Sequence, residues 1–379
     1  MQRFGHWTRT PKDTFFPRHR ILAINPGSTS TKIAVYEGEE ERFSEEIPHS
    51  TEQLAAFEGQ PIVRQYGMRQ EVIRRVLADH GLELDDLDGI SARGGLLRPI
   101  GHGTYAVNAR MREHLLGGVG GDHASNLGAL IAHEMVAGTE TPAWIVDPVV
   151  VDEVPARVKV TGFADLRRRV ISHALNQIAT ARRYAEENET FYEYLNLIVA
   201  HMGGGITVGA HHKGRYIDVN NGLDGEGTFS PQRSGSLPTG DLIRLCFSGR
   251  YTRDELLVKN KGRGGLVDLL GTADFREVER RVQDGDPEAA EVFEAMVYQI
   301  AKNITALVPA FDGEPVDRVL LTGGLARSEL LVDGITRGVG ALGCGVTVYA
   351  GENEMYALVK GALRVLDGKE PVREYAPAE

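Results

Sequence analysis

An apolar run, a turn of small residues and a second apolar run occur twice in this chain. ILAI at residues 21–24 leads through NPGSTSTK (25–32) into KIAVYE (32–37). YLNLIVA leads through HMGGG (201–205) into ITVGA, and the pattern continues to Val219. Each reads as a β-hairpin, because β-branched and aliphatic residues flank a short turn rich in Gly, Ser or Thr. A chain that repeats its opening builds two similar halves. Helical spacing over Gln65–His80, 123–138, 288–311 and 352–366, with strands over 142–151 and 316–324, extends both halves. The stretch SARGGLLRPIGHGTYAV (91–107) is Gly-rich, carries Pro99 and reads as a loop. Strands mixed with helices predict α/β architecture, and two similar halves predict a ligand cleft between them.

Size supports two domains, since 379 residues exceed the roughly 250–300 at which one core stops growing. Charge narrows the partners. With 53 acidic against 42 basic residues the net charge is −11, which opposes attraction to nucleic acid or an anionic membrane. Any phosphate must therefore be held by local groups. Cys246 and Cys344 are far apart and form no C-x-x-C pair, so neither a disulfide framework nor a zinc site is expected. No run approaches a membrane span of roughly 20 apolar residues, and the opening segment lacks the apolar stretch of a secretory signal. A cytoplasmic home follows, with residues 1–19 a loose tail.

Three turns could hold phosphate. NPGSTSTK offers backbone N–H groups, the Ser28 and Ser30 hydroxyls and the Lys32 ammonium. It is not a P-loop, because Lys32 opens a strand where that motif requires a helix. Taken alone it is equally a polar hairpin turn. In HMGGG, Gly203, Gly204 and Gly205 let backbone approach a bulky anion. LLTGGLARSE places Gly323 and Gly324 at a strand C-terminus, where open α/β sheets bind ligands.

The chain resembles the acetate, propionate and butyrate kinase family, of the superfold shared by sugar kinases, heat-shock ATPases and actin. The resemblance rests on NPGSTSTK, RGG (93–95), GDHASNLG (121–128), VDPVVVDE (146–153), HMGGGITVG (201–209), PQRSG (231–235), LTGGLARSE (321–329) and ENEMYALVKGA (352–362), in the family's order. It implies a duplicated actin-like, ribonuclease H-like fold with an interdomain active site. One domain would span 20–185, joined by a C-terminal helix at about 356–379, and a nucleotide-binding domain would span 186–355. It further implies reversible, ATP-dependent phosphorylation of a short-chain carboxylate to an acyl phosphate, with ADP as product, Mg²⁺ as metal, and a homodimer or higher homo-oligomer.

By that similarity, Arg93 and Arg233 grip the acid and the phosphoryl group, with His123 and Gly95 beside the acid. His173 donates to the transferring phosphoryl, and Asn25 orients it or the metal's waters. His201 and the three turn glycines hold the ATP phosphates, Gly323, Gly324 and Leu325 line the adenosine, and Asp147 and Glu354 serve Mg²⁺. The residue types suit the reaction. Phosphoryl transfer spreads charge over oxygens, so cations and donors matter most, and an ionised carboxylate needs no strong base.

Two departures bear on the acid. Acetate kinases follow the first arginine with two valines, where this chain has Gly94 and Gly95, and place Phe where it has Ser172. A missing valine side chain leaves space for about three carbon atoms, each methylene being worth about 0.8 kcal/mol. The expectation is an acid longer than acetate, butyrate first. Isobutyrate, propionate, valerate or acetate stand as alternatives, a sugar hydroxyl ranks lower, and a non-catalytic ATP-binding module is the rival from another class.

Overall fold

The computed structural model describes residues 18–377. The expected tail at 1–19 thus lies almost wholly outside the described residues. The first hairpin joins β1 (Arg20–Pro26) to β2 (Ser30–Glu37), with Asn25 opposite Lys32, and β3 (Glu40–Pro48) extends it. Then follow α1 (Thr51–Ala55), α2 (Tyr66–Asp79), β4 (Gly89–Arg93), β5 (Thr104–Ala106), α3 (Ala109–Leu116), α4 (Asn126–Val136), β6 (Ala143–Val146) and α5 (Ala174–Glu187). The second hairpin is β7 (Asn196–Met202) with β8 (Ile206–His212), extended by β9 (Arg215–Val219). The remainder comprises α6 (Thr239–Cys246), α7 (Arg253–Asn260), α8 (Leu266–Leu270), α9 (Phe275–Gln283), α10 (Pro287–Ala306), β10 (Arg318–Gly323), α11 (Glu329–Gly338), β11 (Gly345–Ala350) and α12 (Glu354–Leu366).

Contacts divide the chain into two compact units. One runs up to Val150 and resumes at Asn353; the other is Val151–Glu352. In the first, the strand order is β3-β2-β1-β4-β6-β5, and in the second β11-β10-β7-β8-β9. Read outward from the hairpin, both units pair an antiparallel β-meander on one side with parallel strands on the other. The repeat seen in the sequence is thus a repeat of topology.

Burial explains the strand composition. Ile21, Leu22, Ala23 and Ile24 are all fully buried, because helices cover both faces of a partly parallel sheet and polar alternation disappears. α12 packs on β1, β4 and β6, and α4 packs on β4 and β6. In the second unit, Ile198, Ala200 and Met202 of β7 point to a core with α9, α10 and α11, while Leu197 and Val199 point to another with α5. Side chains alternate across a strand, so one strand serves two layers.

Several boundaries differ from those read in the sequence. The unit boundary falls at Val150/Val151, where 185/186 was expected, because α5 packs on β7 and β10 of the second unit. The Gly-rich stretch 91–107 is not all loop: it contains the end of β4 and all of β5. β6 stops before Asp147, which sits at φ 39 and breaks the strand. The last helix ends at Leu366, well short of 379. The segment beyond it is held by Tyr375, whose buried hydroxyl lies 2.8 Å from His114 Nδ1. Among the described residues, no helix is long and apolar enough to cross a membrane.

Candidate active site

In the first unit, β1, β4 and β6 are neighbouring parallel strands, and their C-terminal ends carry Asn25, Arg93 and Asp147. Polar residues collect there because the strand interiors are buried and only the ends escape the helical layers. Glu354, the first residue of α12, joins them. Its Oε2 accepts from Asn25 Nδ2 at 2.5 Å and from Arg93 Nη1 at 2.9 Å. One edge of the Arg93 guanidinium is thus fixed, while Nε and Nη2 donate to no group among the described residues. The side chain is 23% exposed. Such an edge matches the two oxygens of a carboxylate.

Asp147 is almost fully buried, and its Oδ1 accepts from Gly103 N at 2.6 Å. Its positive φ is uncommon for a residue other than glycine and places a carboxylate where the strand would have continued. The described residues contain no cluster of three His, Cys, Asp or Glu poised for a metal. Asp147 and Glu354 nevertheless suit Mg²⁺, which takes one or two carboxylates and completes its shell with water and phosphate oxygens.

The glycines after Arg93 do not open a void. A Cβ on Gly95 would lie 2.5 Å from Asn126 Oδ1 and 2.6 Å from Asn126 Cα, and one on Gly94 would meet Pro148 and Ile145. The loop is instead pressed against α4, with Leu96 N donating to Asn126 Oδ1 at 2.7 Å. The space expected from the absent valines is filled by protein. Ser172 is likewise buried. His123 is exposed ahead of α4 and pairs its Nδ1 with Ser125 Oγ at 2.9 Å.

In the second unit, the HMGGG turn gathers its own set. His201 is buried, with Nδ1 2.9 Å from Asn176 Oδ1 and Nε2 3.3 Å from Glu352 Oε1. The His173 ring stacks on it at 3.9 Å between centroids, held by Thr207 Oγ1 at 3.0 Å from Nδ1. The Arg233 guanidinium lies against Gly205, in the space a Cβ there would take, and donates Nη1 to Gly222 O. Burial holds its pKa below the usual arginine value. Gly203, Gly204 and Gly205 have no positive φ, so these glycines serve close approach and not unusual backbone conformation. Ser230 Oγ donates to Gly204 O at 2.7 Å and fixes the turn from behind.

The residues read as nucleotide contacts separate. Gly323 has φ 91 and is pressed onto Met202 of β7, while Gly324 faces open space. The Leu325 side chain belongs to the hydrophobic core, which leaves only its backbone to meet a ligand. In the first unit, Ser28 and Lys32 are exposed, but Ser30 Oγ donates to Glu46 Oε1 at 2.8 Å. Arg69, Asn126, Thr207, Ser230 and Glu352 were not read from the sequence. Their roles rest on contacts between distant segments. Asn126, Thr207 and Glu352 lie within the quoted motifs without having been singled out, and Arg69 stands at four-residue spacing with the buried Ile73 and Leu77 on α2.

Known structures place the fold among the actin-like two-domain α/β kinases. Acetate kinase from Porphyromonas gingivalis matches with a TM-score of 0.75 at 16% identity, covering 92% of this chain and 100% of that one. A propionate kinase from Francisella tularensis matches with a TM-score of 0.74 at 18% identity, covering 90% and 98%. Residues 166–353 match the Acetokinase family. Butyrate kinase 2 of Clostridium acetobutylicum is 49% identical over 358 residues, 94% of this chain and 99% of that protein. The chain belongs to the acetokinase family.

Packing at Gly95 yields a direct check. Gly95→Val should lower the melting temperature, because overpacking costs about 1–3 kcal/mol. A variant as stable as the parent but shifted towards shorter acids would restore the valine-vacancy explanation of acid choice.

Proposed function

We propose that this protein transfers the γ-phosphoryl group of ATP to butyrate, giving butyryl phosphate and ADP reversibly. The enzyme class is a phosphotransferase with a carboxyl acceptor. The open edge of Arg93 is the observation that carries the reading, since it offers two parallel donors beside Asn25 and Glu354. Choice of butyrate is supported by kinship to Butyrate kinase 2, and not by Gly94 and Gly95.

In this reading Arg93 holds the acid as its carboxylate, which is already ionised at neutral pH and needs no general base. One carboxylate oxygen forms the new bond to the γ-phosphorus while the bond to the β,γ-bridging oxygen breaks, with ADP leaving and no proton moving. Arg233, His201 and His173 supply donors to the phosphoryl oxygens, where charge is spread in a loose transition state. Asn25 orients a phosphoryl oxygen. Gly203, Gly204 and Gly205 admit the phosphates, and the backbone of Gly323 to Leu325 borders the adenosine. Asp147 and Glu354 would hold Mg²⁺, which when bound neutralises charge on the ATP phosphates.

The protein works in a reducing cytoplasm, a reading supported by two free cysteines. It assembles as a homo-oligomer; support comes from α6, none of whose residues is buried, and from Phe247 beside it at 88% exposure. A light-scattering mass of one 41.4 kDa chain would count against the oligomer.

Acyl hydroxamate formed from ATP, Mg²⁺ and hydroxylamine should be greatest with butyrate across C2 to C5 acids. Neighbouring acids should differ by roughly tenfold to a few hundredfold, the worth of one methylene. A maximum at acetate would refute butyrate, and no product with any acid despite ATP binding would favour a non-catalytic module. Arg93→Ala and Arg233→Ala should each lower kcat by about a hundredfold or more, with ADP affinity largely kept, while Glu354→Ala should raise the Mg²⁺ needed for half-maximal rate. Near-normal turnover in both arginine variants, or an unchanged Mg²⁺ titration, would sink the corresponding role.

A further inference from the structure

Arg69 of α2 is fully buried, yet no carboxylate pairs with it among the described residues. Its donors go to the turn between β1 and β2 and to one glutamine. Nη1 donates to Gly27 O at 2.7 Å, Ser30 O at 2.9 Å and Thr31 Oγ1 at 3.1 Å. Nη2 donates to Ser28 O at 3.0 Å and Gln65 Oε1 at 2.7 Å, and Nε to the same glutamine oxygen at 3.2 Å. Burial pushes its pKa down to about 10. Nearby, burial and the Arg69 charge together push His49 down to about 4, so the imidazole against Thr31 is neutral and adds no second cation.

A buried charge without an opposite charge is costly, and a chain keeps one where it does something a neutral group cannot. Peptide geometry indicates what that is. In a trans peptide the N–H points away from the C=O, and no cis peptide is present among the described residues. With Gly27 C=O and Ser28 C=O both drawn inward to Arg69, the Ser28 and Thr29 N–H groups turn outward. Both residues are exposed, and neither amide donates to a protein group among the described residues. Two successive outward N–H groups form a concavity suited to an anion. The positive charge lies directly behind them, in protein interior that screens it weakly.

We propose that Arg69 is a positioning residue for phosphoryl transfer: it draws the turn carbonyls inward so that the Ser28 and Thr29 amides form an anion seat, and it serves as that seat's buried counter-charge. The assignment rests on the kinase reading above and adds to it a residue that never touches substrate. Lysine keeps the charge but has only three donors from one atom and cannot span Gly27, Ser28, Ser30 and Thr31 at once. Methionine keeps the apolar stem and removes charge and donors together.

The test compares parent, Arg69→Lys and Arg69→Met in the hydroxamate assay, with ADP affinity by calorimetry and folding by circular dichroism. Arg69→Lys should lose at least about tenfold in kcat while acid KM and ADP affinity stay within about threefold. Arg69→Met should lose about ten times more, so that lysine restores part of the rate. Should the methionine variant fail to fold, the lysine variant decides alone. A folded Arg69→Lys with kcat within twofold of the parent overturns the proposal, as does a loss shared equally by kcat and ADP affinity, which marks general loosening. An inactive parent would instead overturn the kinase reading, so the two failures are distinguishable.

Discussion

The parallel ladder joining β1 to β4 and β4 to β6 sets three strand ends side by side, and the first half of the site depends on that adjacency. Asn25, Arg93 and Asp147 come from three distant parts of the sequence. They become neighbours because each is the point where a buried strand leaves the helical layers. Helix α12 returns to cover the same strands, and its first residue, Glu354, thereby reaches Asn25 across 329 positions of sequence. The second unit repeats the device with β7 and β10, where Gly323 is pressed against Met202 at the HMGGG turn.

Close packing rather than open volume governs both sets. Gly95 lies on Asn126, Gly205 on Arg233, and Gly323 on the end of β7. Each glycine lets one backbone approach another group more closely than a Cβ would permit. Interiors packed to this density pass small displacements onward, so second-layer residues such as Asn126 and Ser230 help set where the arginines and turns lie. The glycines after Arg93 thus leave no space where their own side chains would lie.

Much of the plan is legible in the order of residues. The repeated hairpin foretells the repeated sheet, because alternation of strand and turn is a local property that neighbouring residues settle. Arg93, Arg233 and His201 stand in motifs, while His173 is placed by the family resemblance alone; Arg93 lies in the first unit and the other three in the second. Their surroundings, and those of other residues, are not legible: the Leu325 side chain lies in the core, Ser30 Oγ donates to Glu46, and the space a Cβ would take on Gly94 or Gly95 is filled. Each of these turns on which atoms lie opposite a given side chain, and residue type does not specify that.

By itself, then, the sequence determined the duplicated α/β plan, the small-residue turns of its two hairpins and the family to which the chain belongs. The tertiary structure alone decided that Glu354 fixes one edge of Arg93, that Asn126 occupies the space beside Gly95, and that Arg69 holds the first turn from within. Strands and turns follow from short-range patterning and backbone sterics. Contacts between segments hundreds of residues apart follow only from how whole layers pack.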